Sequence, residues 1–257
     1  MDLFGDISYL LSNYFNFYLI GLASTCILSI IGTVFGLGFG MFLGLGKNMK
    51  ISYRDKWYNK LYKYPIIWLC NIYSTVIRGT PMMVQALIFK YGCQALGVNW
   101  NLILPGVPVL DGWLIAGLIV ITLNTTAYMG EIVRAGLNGV DAGEIEGARS
   151  LGMSSFQTMI TVALPQAIRN SLPTIGNEWI VNIKDSSVLN VIGLTELFFQ
   201  ANAAASKNYK YMATYIIVAS IYLILTLAAT GILKLVERKM DGKKFKFSFF
   251  HFRKVGA

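Results

Sequence analysis

Uncharged apolar runs alternate with short charged stretches along this chain, and the runs have the length that crosses a bilayer, about 20 residues per helix. The first charge-free window extends from Ile7 to Gly46 and is densest in apolar residues from Tyr18 to Leu45. A second runs from about Pro65 to Phe89 around one internal charge, Arg78; a third lies between Asp111 and Glu131; a fourth follows Pro173; a fifth is uncharged from Tyr211 to Leu233. The pattern predicts an all-α integral membrane protein with a single transmembrane domain over 1–257. Its five transmembrane helices are expected at about 17–46, 64–91, 112–130, 173–197 and 211–233. Within the first, Gly32, Gly36, Gly40 and Gly44 recur every four residues. That spacing strips one helix face of side chains and marks it for close packing.

Composition supports this reading. Of 257 residues 55% are hydrophobic and 14% charged, with a mean hydropathy of +0.55, a balance that excludes an ordinary soluble globule and leaves little chain for a separate catalytic domain. Cys26, Cys70 and Cys93 lie in or beside apolar runs without paired spacing, so they read as packing residues rather than zinc ligands or a disulfide framework. The string Gly36-Leu37-Gly38-Phe39-Gly40 has no preceding strand, and no Gly-x-x-x-x-Gly-Lys-Ser/Thr occurs, so the chain has no phosphate cradle of that kind and any ATP coupling needs a partner.

Charge sets an expected orientation. The start carries Asp2 and Asp6 but no base, unlike a cleaved signal peptide, so it is expected to be retained and to face outward. Lys47, Lys50, Arg54, Lys56, Lys60 and Lys63 crowd the first loop, and Arg134, Arg149 and Arg169 the 134–169 stretch. The tail holds Lys234, Arg238, Lys239, Lys243, Lys244, Lys246, Arg253 and Lys254, whereas the proposed outer loops offer only Lys207 and Lys210. Retention of Lys and Arg on the cytoplasmic side therefore predicts N-out, C-in. The net charge of +9 is then mostly a topology signal with some attraction to anionic headgroups, and it requires no nucleic acid. Phe245, Phe247, Phe249, Phe250 and Phe252, interleaved with bases in the tail, suit the inner membrane interface.

The stretch from about 134 to 170 carries charges, Gly and Ser that place it outside the hydrocarbon, and it reads as short helices. Asp141 is placed to cap one with Glu144 in its first turn, at capping-box spacing, and Leu151, Met153, Phe156 and Met159 supply an apolar docking face. Glu146-Gly147-Ala148, then Gly152, then Val162-Ala163-Leu164-Pro165 resembles the EAA loop of ABC-importer permeases, with Gly147 in place of an Ala and Val162 in place of an Ile. Gly147 is expected to loosen its helix by about 1 kcal/mol. Arg78-Gly79-Thr80-Pro81-Met82-Met83-Val84-Gln85, the run from Ala127 to Gly136, Leu164-Pro165-Gln166-Ala167-Ile168-Arg169 and Lys184-Asp185-Ser186-Ser187-Val188 narrow the resemblance to the polar amino-acid uptake branch, with permeases of the histidine, glutamine, arginine and cystine type.

The resemblance implies a type I ABC importer permease fold in a bacterial inner (cytoplasmic) membrane, crossing it several times. It further implies a second permease subunit, identical or homologous, and a dimer of ATP-binding cassette ATPases. An extracytoplasmic solute-binding protein would deliver a polar or charged amino acid. Cofactors are expected on the ATPase, as ATP with Mg, and none in this chain, which is then a transport subunit and not an enzyme. The resemblance assigns ATPase coupling to Gly143, Glu146, Gly147, Ala148, Gly152, Leu164 and Pro165. Ala148 and Gly152 would keep a helix face thin, and Leu164-Pro165 would fix the exit direction towards the membrane.

Ionisable residues at membrane depth are functional candidates by default. Arg78 lies in the second span; Glu178, Lys184 and Asp185, with Ser186 and Ser187, make the fourth too polar to face lipid. Glu178 and Asp185 are two helical turns apart and share a face. An amino acid presents an ammonium, suited to Glu178 or Asp185, and a carboxylate, suited to Arg78 or Lys184. The same residues equally fit protein–protein pairing that only holds the fold. Asn124, Thr125 and Thr126 are placed to hydrogen-bond between helices or to meet substrate, and glue between helices is the favoured reading. A self-contained secondary transporter driven by an ion gradient would need a second repeat of spans with matching broken helices, and none is visible. An intramembrane enzyme would need a nucleophile and base or metal ligands at depth, whereas the one histidine, His251, sits in the tail.

Overall fold

The computed structural model describes residues 3–49, 51, 56–98, 100 and 112–240, and among them every regular element is helical. Lys50, Arg54, Asp111, His251 and the tail phenylalanines and bases beyond Met240 lie outside the described residues.

The first helix, α1, spans Leu3–Lys47. At 1.5 Å per residue its 45 residues reach about 67 Å, well beyond the apolar thickness of a bilayer. Its glycine stripe meets α4, Gly112–Asn138. A Cβ on Gly32 would lie 2.7 Å from Ile121 Cγ2, one on Gly36 2.6 Å from Thr125 Cγ2, one on Gly40 2.5 Å from Met129 Cβ, and one on Gly44 2.8 Å from the Gly130 carbonyl. The partners climb α4 in step with the glycines, so the two helices run parallel and in register, with no room for a methyl between them.

A buried polar node fastens the pair to α7, Leu164–Asp185. Asn182 donates to Thr33 Oγ1 at 2.8 Å and accepts from Thr125 Oγ1 at 3.1 Å. Asn124, on the neighbouring turn of α4, donates to Gln85 Oε1, and Thr126 donates to the Thr122 carbonyl within its own helix. The Asn124 amide and Thr125 hydroxyl therefore join helices, as the sequence predicts, and Thr126, besides its bond within α4, interacts with Tyr73 of α2.

The window expected as span two is two helices, α2, Trp57–Gly79, and α3, Met82–Ala95. Between them Thr80 and Pro81 are extended, with ψ of 145° and 135°. Proline lacks the amide hydrogen and disfavours helical geometry in the residue before it. Gln85 covers the gap: its side-chain amide reaches the Ile77 carbonyl at 2.7 Å, the Thr80 carbonyl at 2.9 Å and Thr80 Oγ1 at 2.8 Å. The break thereby keeps its polar groups satisfied, which a lipid-facing or buried helix end requires.

The 134–170 stretch does fold as short helices. Helix α5, Ala142–Ser150, is capped by Asp141. The cap binds the Gly143 amide at 2.6 Å, while Glu144 bonds instead to Gln166 of α7. The reciprocal capping box expected at Asp141 is found at Ser154 and Gln157, which open α6, Ser155–Thr158. A π turn, Met159–Ala163, runs straight into α7. There Leu164 N–H reaches five residues back to Met159, an adjustment that absorbs the missing donor and ring bulk of Pro165. The loop thus returns as one near-continuous rod from Ser155 to Asp185, and Pro173 lies inside α7 without ending it.

Past Asp185 the chain tightens into a 3-10 turn, Ser186–Ile192, and stops at Gly193, whose φ of +93° favours glycine. Glu196, fully buried, caps α8, Leu197–Asn208, by accepting from Phe198 and Phe199 amides at 2.8 and 2.7 Å, and it accepts also from Tyr222 Oη at 3.0 Å. Tyr222 belongs to α9, Tyr211–Met240. Lys210, just before α9, pairs with Asp6 near the start of α1; at the opposite end the Met240 carbonyl accepts from Arg169 at 2.6 Å.

Helices α1, α4 and α9 are long and apolar enough to cross a membrane, and the segment Ser155–Ile192 with α8, bent by 55°, qualifies as a fourth span if taken together.

Candidate functional site

Two regions gather the residues singled out by sequence. The first lies where the broken end of α2 packs on α4, the helix that also carries α7. Glu178 is half-buried on α7, close enough to Asp185 and to Arg78 to interact electrostatically with both, and Asp185 interacts in turn with Lys184. The seven-residue spacing does put both acids on one face, and Arg78 of α2 stands within electrostatic range of Glu178. Lys184 is exposed and Asp185 half-buried. The two serines are spent locally: Ser186 Oγ, buried, donates to the Ile183 carbonyl at 2.8 Å, and Ser187 Oγ to Lys184 at 2.7 Å, closing the end of α7.

Glu131 on α4 is a participant the sequence reading passed over as the edge of a span. Its Oε1 takes Lys47 of α1, Arg78 of α2 at 3.3 Å and Ser74 Oγ at 3.1 Å, and its Oε2 takes Arg134 Nε at 2.9 Å. Arg78 also lies 5.5 Å over the ring of Tyr128, a cation–π arrangement. One carboxylate therefore serves three cations drawn from three helices. The available signal was the run from Ala127 to Gly136, which holds Tyr128, Glu131 and Arg134 at helical spacing on one side.

The second region is the loop. On α5, Ala148 is buried at 7% exposure, whereas Glu146 and Gly147 face outward, and a Cβ on Gly147 would meet nothing within 4 Å. Gly152 does not lie on the helix face, contrary to the expectation that it keeps that face thin. It follows the helix at φ +85°, with its amide bonded to the Arg149 carbonyl and that of Met153 to the Ala148 carbonyl. That is a Schellman close, and the left-handed residue within it is the reason for glycine. Leu151 and Phe156 are 87% and 75% exposed, leaving two large apolar side chains outward beside Glu146, while Met159 packs inward with Val133, Leu137 and Ala167. An open cleft of about 850 Å³ lies between the loop and the ends of α1 and α4, and the exposed Glu146 and Phe156 line it together with Leu45, Leu137, Ile145 and Met159.

Against known proteins, the family described as binding-protein-dependent transport system inner membrane component matches residues 36–242. The arginine transport system permease protein ArtQ of Bacillus subtilis is 36% identical over 224 residues, covering 87% of this chain and 92% of that protein. The putative glutamine transport system permease protein GlnP of Rickettsia conorii is 30% identical over 213 residues, covering 82% and 87%. Among solved structures, one described as an amino acid ABC transporter with histidines superposes with a TM-score of 0.74 at 36% identity, covering 93% of this chain and 99% of that one. The inward-facing MetNI methionine ABC transporter shares the fold at 15% identity, with a TM-score of 0.66 over 86% of this chain and 94% of that one.

Proposed function

The chain belongs to the family of binding-protein-dependent transport system inner membrane components, and from that premise we propose that it is the permease subunit of an ATP-driven importer for a polar or charged amino acid. The observation that carries this is the match over residues 36–242, reinforced by relatives named as arginine and glutamine permeases at 36% and 30% identity. The partners are an ATPase dimer that binds ATP with Mg, a solute-binding protein and a second permease subunit. The membrane is the bacterial inner membrane. No cofactor belongs to this chain, and it is not itself an enzyme.

In this reading the membrane is crossed five times, by α1, the α2–α3 pair, α4, α7 with its 3-10 extension, and α9, N-out and C-in. Lys47, Arg134, Arg149 and Arg169 then lie inside; Lys210, paired with Asp6, lies outside. Helix α5 docks on the ATPase through Glu146 and the outward Leu151 and Phe156, and Gly143, Gly147, Ala148, Gly152, Leu164 and Pro165 shape the loop that presents them. Because the rod from Ser155 to Asp185 is nearly continuous, a displacement of the loop is delivered to Glu178 and Asp185. Those acids, with Arg78 and Lys184, line the path and offer both signs of charge to a zwitterion; Ser186 and Ser187 hold the end of α7 in place.

A secondary transporter driven by an ion gradient is the competing reading, and the family match disfavours it. The test is reconstitution in liposomes with the ATPase and the binding protein, following ATP hydrolysis as single amino acids are presented. Hydrolysis stimulated only when binding protein and one amino acid are both present is expected. Uptake by the chain alone on an ion gradient would overturn the proposal.

A further inference from the structure

We infer that Glu131 is a positioning residue for transport, acting through Arg78. A carboxylate needed only to tie α1 to α4 would be satisfied by Lys47, whose side chain is 8% exposed. Glu131 instead reaches across to α2, where it holds both Ser74 and Arg78. Arg78 sits in the last turn of α2, immediately before the Thr80–Pro81 break, so the helix gives its long side chain no neighbour on the following turn. Two groups from a single helix, α4, supply that constraint: the ring face of Tyr128 beneath the guanidinium and the Glu131 oxygen at its edge. The guanidinium remains 43% exposed and within electrostatic reach of Glu178 on α7. A planar fork fixed on one edge and one face presents its remaining N–H groups in a set geometry, the condition for bidentate capture of a carboxylate.

Three cations gathered around one acid also leave the cluster net positive. Lys47 is enclosed, whereas Arg78 and Arg134 are both held by Glu131 and about equally open, at 43% and 45% exposure; of these two it is Arg78 that also stands within electrostatic reach of Glu178 and over the Tyr128 ring. Glu131 therefore sets where a positive charge stands at the broken helix, without itself contacting what passes.

The inference rests on the reading that Arg78 lines the path, and a double-mutant cycle separates failure of one from failure of the other. The complete complex is reconstituted with an equimolar mixture of the twenty labelled protein amino acids as probe. Uptake is measured for wild type, Arg78→Gln, Glu131→Gln, Glu131→Asp and the Arg78→Gln/Glu131→Gln pair. If Glu131 acts through Arg78, each single change raises the half-saturating concentration by roughly 10-fold with maximal rate altered less than about 2-fold, Asp restores most of the loss, and the second change adds less than about 1.5-fold to the first. Additive losses, or a fall in maximal rate alone, overturn the inference while leaving the path reading intact. Unchanged uptake by Arg78→Gln overturns both. Should Glu131→Gln fail to fold, Glu131→Asp takes its place in the cycle, and a loss it causes in the wild-type background that persists undiminished beside Arg78→Gln overturns the inference.

Discussion

The side-chain amide of Asn124 on α4 donates to Gln85 Oε1 on α3 at 3.0 Å, while the Gln85 amide caps the open end of α2. One glutamine thus joins three helices at the point where the chain is least regular. Ser74 and Tyr73 extend the seam along α2, bonding to Glu131 at 3.1 Å and the Leu123 carbonyl at 2.6 Å. The two sequence motifs beginning at Arg78 and Ala127 are therefore two sides of one interface.

Replacing Gln85 by Leu keeps the volume but removes the donor from the Ile77 and Thr80 carbonyls and the acceptor from Asn124. Leucine offers none of these groups a partner, and each one left stranded costs about 1–3 kcal/mol. Thermal unfolding of the purified complex in detergent is expected to show a loss of roughly 3 kcal/mol or more, from three groups left without a partner. A variant as stable as wild type would mean the break does not depend on this staple.

Gly38 and Gly40 lie on one helix, two residues apart, in opposite surroundings. A Cβ on Gly40 would fall 2.5 Å from Met129 Cβ, whereas one on Gly38 meets nothing within 4 Å. Gly40→Leu is expected to force α1 and α4 apart and to cost about 1–3 kcal/mol or more. Gly38→Leu is expected to be tolerated within roughly 0.5 kcal/mol. Monodispersity and unfolding temperature of the two variants check the contrast, and equal behaviour would contradict the packing described.

Long apolar runs, the glycine stripe and the Asp141 cap were legible because each is a local pattern tied to one physical demand. The helix break was not, since proline alone does not decide it. Pro65 and Pro173 sit inside helices that continue, whereas the chain at Pro81 has Gln85 to satisfy the opened carbonyls. Glu131 was missed because Lys47 and Ser74 stand 84 and 57 residues away in sequence. Glu196 was missed for a related reason: an acid followed by Leu197, Phe198 and Phe199 looks like the end of an apolar span, and its value as a cap depends on a fold that brings Tyr222 beside it.

Glu196 has no exposure to solvent and bonds two amides and a phenol. Glu196→Ala strands those donors and opens a void, so a loss of about 2–4 kcal/mol is expected. Glu196→Gln keeps an acceptor and is expected to lose less than half as much. Hydrogen exchange over Leu197–Asn208 reads the cap directly: faster exchange there than in α4 is the anticipated pattern, and uniform protection in Glu196→Ala would remove the cap assignment.

Gly147 and Gly152 occupy one motif but answer to different constraints. At Gly152 a φ of +85° makes alanine unfavourable by about 1 kcal/mol or more. At Gly147, mid-helix with open space around a Cβ, alanine is expected to stabilise α5 by up to about 1 kcal/mol. Exchange rates of the α5 amides should move in opposite directions in the two variants. The same rate change in both would show that the Schellman close does not govern the loop.

Glu146 and Ala148 stand two residues apart on α5 with opposite exposure, so the coupling role proposed for Glu146 can be tested apart from folding. Ala148→Leu inserts three carbons where exposure is 7%, and overpacking of about 1–3 kcal/mol is expected to distort α5 against α6 and the π turn. Glu146→Ala changes an outward side chain, so stability is expected to stay within roughly 0.5 kcal/mol, while ATP hydrolysis loses its response to loaded binding protein. Co-purification with the ATPase, together with substrate-stimulated hydrolysis in liposomes, measures both. A stable Glu146→Ala complex with full stimulation would place the drive elsewhere, and the exposed pair Leu151 and Phe156 would then be the side chains to replace next.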